Sequence, residues 1–113
     1  MARSLNLIRE CLGLVTRIEC IVRPVEGNTG LWTLLFAAGM QGEQPSAVKA
    51  QGPFHGPIAA EAVLTAIVDS LTLHGYRVVE DPQSWSIHLH GQLRKVNAER
   101  GRHLGEFHSR PEL

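Results

Sequence analysis

Hydrophobic and polar positions recur with two different periods along this chain, and the changes of period mark its elements. In SLNLIRECL, residues 4–12, Leu5, Ile8 and Leu12 fall at helical spacing behind Ser4, a good N-cap type, and predict a short helix. LVTRIECIVRPVEG, residues 14–27, alternates instead. Thr16, Ile18, Cys20 and Val22 share one face and Arg17, Glu19 and Arg23 the other, the pattern of a strand with one side buried and one in water. EGNTG is turn chemistry, so LWTLLFAAG, residues 31–39, is expected to return as the second arm of a hairpin.

That second arm is unusual. Trp32, Leu34 and Phe36 point one way and Leu31, Thr33 and Leu35 the other, so both faces are largely apolar and both need cover. MQGEQPS predicts a turn, and AVKAQGPF, residues 47–54, a third and shorter strand. GPFHGP interrupts the sheet pattern and places Pro57 where a first helical residue belongs. From Pro57 to His74 the period is helical: Ala60, Val63, Leu64, Ile67, Val68 and Leu71 form one apolar stripe, and Gly75 follows as a C-terminal cap. YRVVE reads as a brief strand and DPQS as a turn. In WSIHLHGQLRKV, residues 85–96, Trp85, Ile87 and Leu89 alternate with Ser86, His88 and His90, which predicts a final strand.

These elements predict an α+β fold: a curled, mostly antiparallel sheet of four to five strands, one long helix on one face, and a short N-terminal helix. Residues 1–96 form the single domain in this reading. Residues 97–113, where the apolar pattern fades, form a polar, mobile tail.

Composition narrows the function classes. The 113 residues are 43% hydrophobic and 19% charged, a globular balance. Eleven Lys plus Arg against eleven Asp plus Glu give a formal charge of zero, which argues against a partner held by phosphate electrostatics. No window reaches the roughly 20 apolar residues of a membrane span, and Arg9 and Glu10 interrupt the N-terminal apolar run where a signal peptide would continue. Cys11 and Cys20 lack CxxC spacing and read as reduced thiols, which places the protein in the cytoplasm.

Candidate chemistry is sparse. On a strand, His88 and His90 would lie about 7 Å apart on one face and could converge on a metal. Zinc needs a third ligand, and His55, His74, Glu19, His103 and His108 are candidates with nothing to put them in register. A solvent-facing row of Ser, His and His is the preferred reading. In GPFHGP, His55 and Gly56 precede a helix start with no Ser, Thr, Asp or Asn cap, so an anion could occupy that end, although water serves as well. No GxxxxGK[ST], GxGxxG or GxSxG motif is present, and Glu80 and Asp81 fit a solvated turn before Pro82.

The predicted order of helix, three strands and helix is similar to that of double-stranded-RNA-binding domains. Pro57 to Gly75 carries no Lys or Arg, which removes the phosphate-gripping face the resemblance would imply. Arg94, Lys95, Arg100, Arg102 and Arg110 remain as a basic set, offset by Glu99 and Glu106.

The expectation is therefore a non-catalytic, cofactor-free binding or regulatory module. It self-associates as a homodimer by covering the surplus apolar face around Trp32, Leu34 and Phe36. The N-terminal helix is an equal candidate for that cover, and a small apolar ligand a weaker one. The alternative function is metal or small-molecule binding through His88 and His90.

Overall fold

The computed structural model describes residues 4–27 and 29–109, with side chains described as far as residue 99. Its elements are β1 (Ser4–Cys11), β2 (Leu14–Pro24), β3 (Leu31–Met40), β4 (Ala47–His55), α1 (Pro57–Leu73), β5 (Arg77–Val79) and α2 (Ser86–Ser109). The strands form a sheet in the order β4-β3-β2-β1-β5, with every neighbouring pair antiparallel.

The expected N-terminal helix is a strand. Leu5 and Leu7 alternate with Asn6 and Ile8 as β1 pairs with β2, Leu7 opposite Ile18 and Asn6 opposite Glu19. Leu12 and Gly13 make the two-residue turn between them, both at positive φ (54° and 79°), the backbone a type I′ hairpin turn demands. Gly13 meets that demand without strain. Leu12 sits at the exposed tip, so its match to the helical spacing of Leu5 and Ile8 was coincidental.

The second correction is larger. Of residues 85–96, expected as a strand, Ser86 onward form the start of α2 and Trp85 immediately precedes it. Trp85, Leu89, Leu93 and Val96 lie along one side of the helix and pack on Ile21, Leu35 and Ala37. Ile87, which strand alternation would bury beside Trp85 and Leu89, is 82% exposed. The backbone helix continues through the segment expected as a tail to Ser109; residues 110–113 of that tail lie outside the described residues.

The sheet is thus covered on both faces by its own chain. α1 lies over one, burying Ala60 and Leu64 against Cys20, Val22 and Leu34. α2 lies over the other. The two apolar faces of β3 are satisfied in this way, not by an N-terminal helix. Leu34, Leu35 and Leu89 are fully buried, each contributing about 1.5–3 kcal/mol before entropy. Trp32 and Phe36, half-buried, pack beneath α1.

Candidate functional site

The polar face expected for β2 is the most deeply buried polar part of the described molecule. Arg17 and Glu19, adjacent on one side of the strand, are 1% and 0% exposed because the loop between β5 and α2 closes over them. Arg17 Nε donates to Glu19 Oε2 (2.6 Å), Nη1 to Asp81 Oδ2 (3.0 Å) and Nη2 to the Pro82 carbonyl (3.0 Å). Glu19 also accepts from the backbone N–H groups of Ser84 (2.6 Å) and Trp85 (2.8 Å). These amides immediately precede α2, so a carboxylate on a distant strand holds the chain that enters the helix and sits near the positive end of its dipole. Asn6 donates to the Asp81 carbonyl at 2.7 Å, and Gln83 bridges Asn6 and the Cys20 carbonyl. Glu19 and Arg17 spend their hydrogen bonds fastening α2 to the sheet. Their role is structural.

Burial alone would lower the Arg17 pKa, but hydrogen bonds to Glu19 and Asp81 raise it. Asp81 moves the other way: its hydrogen bond from Arg17 holds its carboxyl below the ordinary range. A depressed carboxyl contributes stability that is present above its unfolded pKa and disappears as pH falls through the folded one. The midpoint of urea unfolding is therefore expected to drop as pH falls below about 4, and Asp81→Asn to lose part of that acid dependence. An unchanged acid limb in the variant would contradict the pairing. Burial, reinforced by the Glu19 charge, pushes the Cys20 thiol up to about 12, leaving it protonated and unreactive.

The histidine pair does not share one face. On a helix, residues two apart are rotated by about 200°, so His88 and His90 leave α2 in different directions. His90 Nδ1 donates to the Ser86 carbonyl (2.8 Å), and exposed His88 borders a hollow of about 440 Å³ with Glu43, Gln44 and Trp85. Among the described residues no three His, Cys, Asp or Glu side chains gather as metal ligands. Side chains of His103 and His108, and of Arg100, Arg102 and Arg110, lie outside the described residues. Gly56 is the N-cap of α1 at φ 99°, with no side-chain cap bond, and His55 is exposed at the end of β4.

Trp32, Leu34 and Phe36, expected at a protein contact, are occupied by α1. Leu12, Leu14, Val78 and Ile87 are exposed at separate places, and the opposite side of α1 exposes two large apolar residues on one face. Its outer face carries Ile58, Ala59, Ala62, Thr65, Ala66 and Leu73, with Ile58 80% and Leu73 87% exposed. Asp69 is the one charged residue of α1 on that side. An outward helix face normally carries Lys, Arg and Glu. The signal was readable: the complement of the correctly assigned apolar stripe contains Ile58, three alanines and Leu73.

A family model described as PA4575-like protein matches residues 1–113. The chain belongs to that family. No curated protein and no solved structure matches it. Among the described residues no helix is long and apolar enough to cross a membrane.

Proposed function

We propose that the chain is a non-catalytic interaction module, cytoplasmic, that self-associates through the outer face of α1. The observation that carries this reading is the pairing of Ile58 and Leu73, both more than three-quarters exposed, at opposite ends of an alanine-rich, nearly uncharged helix face. Fifteen residues separate them, about 22 Å along the axis and roughly 60° around it.

A second copy laid antiparallel across a two-fold axis at Thr65 and Ala66 sets each Ile58 against the partner's Leu73. Ala62 and Ala66 let the backbones approach. Self-complementarity of this kind is what a two-fold interface requires. The zero formal charge of the chain removes long-range repulsion between copies. Two free thiols, Cys11 exposed and Cys20 buried, support the reducing compartment.

A single helix face falls short of the roughly 800 Å² per partner of a standard interface, so association is expected to be concentration-dependent. Sedimentation velocity across a dilution series is expected to show monomer–dimer exchange in the native chain and monomer alone in the double variant Ile58→Glu, Leu73→Glu. Both substitutions sit on exposed positions, so the circular dichroism spectrum should be unchanged. A folded double variant that dimerises like the native chain would defeat the proposal, as would a native chain that stays monomeric at every concentration.

A further inference from the structure

On the α1 side of the sheet, β2 and β3 continue past the buried core and leave a hollow of about 270 Å³. Ile18, Ala38 and Met40 floor it, and Thr16, Tyr76 and Ser46 border it. The register makes the floor. Cys20 and Phe36, paired across the two strands, pack with α1, and the next pairs on the same side are Ile18 with Ala38 and Thr16 with Met40. The three floor residues are only half-buried, so apolar surface stays open there.

No free charge lines the hollow. Arg17, the one charged residue on its border, has its guanidinium committed to Glu19, Asp81 and the Pro82 carbonyl. Arg9 stands outside it. Its guanidinium carbon lies 5.1 Å from the centre of the Tyr76 ring and its Nη1 reaches the His74 carbonyl at 3.4 Å, so it steadies the Tyr76 wall. A charged ligand would lose water here with no counter-charge in return, which restricts the hollow to neutral ones.

The polar features that remain are hydroxyls, and two of them are poorly bonded. Thr16 Oγ1 is 3.3 Å from Tyr76 Oη and 3.4 Å from the Arg9 carbonyl. Both separations exceed the roughly 2.5–3.0 Å of a well-made O–H···O bond. Thr16 and Tyr76 are half-buried, so bonds left long there carry a cost. A third hydroxyl seated beside them can accept from one and donate to the other at proper length. The Tyr76 ring and the Met40 thioether both pack favourably on an aromatic ring. An apolar cavity of about 150 Å³ holds benzene, so a ring with a short substituent fits.

The geometry points to a site for a small neutral phenol or aromatic alcohol. Its ring rests on Ile18, Ala38 and Met40 against Tyr76, and its hydroxyl bonds Thr16 and Tyr76. The α1 outer face takes no part, so this site stands or falls independently of self-association.

The probe is p-cresol at pH 7, where a phenol is neutral, with toluene as the analogue that lacks the hydroxyl, followed by amide shifts in two-dimensional NMR. Saturable shifts from p-cresol are expected at Thr16, Ile18, Ala38 to Met40 and Tyr76. Toluene is expected to shift the same amides and to bind roughly three- to tenfold more weakly, the scale of one hydrogen bond. Thr16→Val and Tyr76→Phe, which remove one hydroxyl each and keep the shape, should shrink that preference while sparing toluene. Ala38→Leu fills the floor and should weaken both probes at least tenfold. Scattered or unsaturable shifts, equal affinity for the two probes, or an undiminished p-cresol preference in folded Thr16→Val and Tyr76→Phe would each overturn the assignment.

Discussion

Replacing Glu19 with alanine is expected to cost about 3–5 kcal/mol of folding stability, the scale seen when one partner of a buried ion pair is removed. The loss has two sources. Arg17, 1% exposed, keeps its charge and loses its closest acceptor, and the amides of Ser84 and Trp85 lose the carboxylate that holds them at the entrance to α2. Urea unfolding reads the total. Hydrogen exchange separates the sources, because the amides at the start of α2 should exchange faster while those of α1 change little. Glu19→Gln, which keeps the volume and one acceptor oxygen, should lose less. The double variant Arg17→Met, Glu19→Leu removes the stranded charge but leaves the two amides without their acceptor, so it should recover part of the stability, not all. Full recovery would show that the bonds to Ser84 and Trp85 contribute nothing.

Trp85→Ala is expected to be equally severe, about 3–5 kcal/mol, a large share of the roughly 5–15 kcal/mol a domain of ordinary stability possesses. Trp85 is buried against Ile21, Leu35, Ala37 and Leu89, and its indole N–H donates to the Glu43 carbonyl at 2.9 Å. It therefore fixes the first turn of α2 to the sheet and to the β3–β4 loop together. Trp85→Phe retains most of the packed ring and loses only the hydrogen bond, so it should cost much less. Trp32, on the opposite face, remains as the fluorescent reporter in both variants. A loss below about 1 kcal/mol for the alanine variant would mean that α2 does not bury this face.

The sequence made the local elements legible and hid the distant partnerships. The apolar stripe of α1 and the two apolar faces of β3 were readable because each depends on spacing within one segment. Residues 85–96 fitted two periods at once. Trp85 and Leu89 satisfy alternation, yet with Leu93 and Val96 they also satisfy a helix, and exposed Ile87 decides between them. Arg17 and Glu19 look like a solvent face in any window around β2, because Asp81, Ser84 and Trp85 are more than sixty residues away. Leu5, Ile8 and Leu12 match a helix, whereas Leu12–Gly13 is the hairpin turn that pairs residues 4–11 with 14–21. The reversal of the expected contact surface follows from these two misreadings. α1 covers Trp32, Leu34 and Phe36 while α2 covers Leu35 and Ala37, so both faces of β3 are occupied and the back of α1 carries the exposed pair Ile58 and Leu73.

Site-directed crosslinking tests that relocation most directly. Ala66 lies beside the axis about which two α1 helices would pack, close enough to its symmetry mate for a disulfide if the helices cross there. In a Cys11→Ser background, with Cys20 buried, an Ala66→Cys variant under mild oxidation is expected to form a covalent dimer rapidly. A Gln44→Cys control, exposed on the β3–β4 loop, should remain monomeric. Equal crosslinking in the two variants, or none in either, would contradict self-association through the outer face of α1.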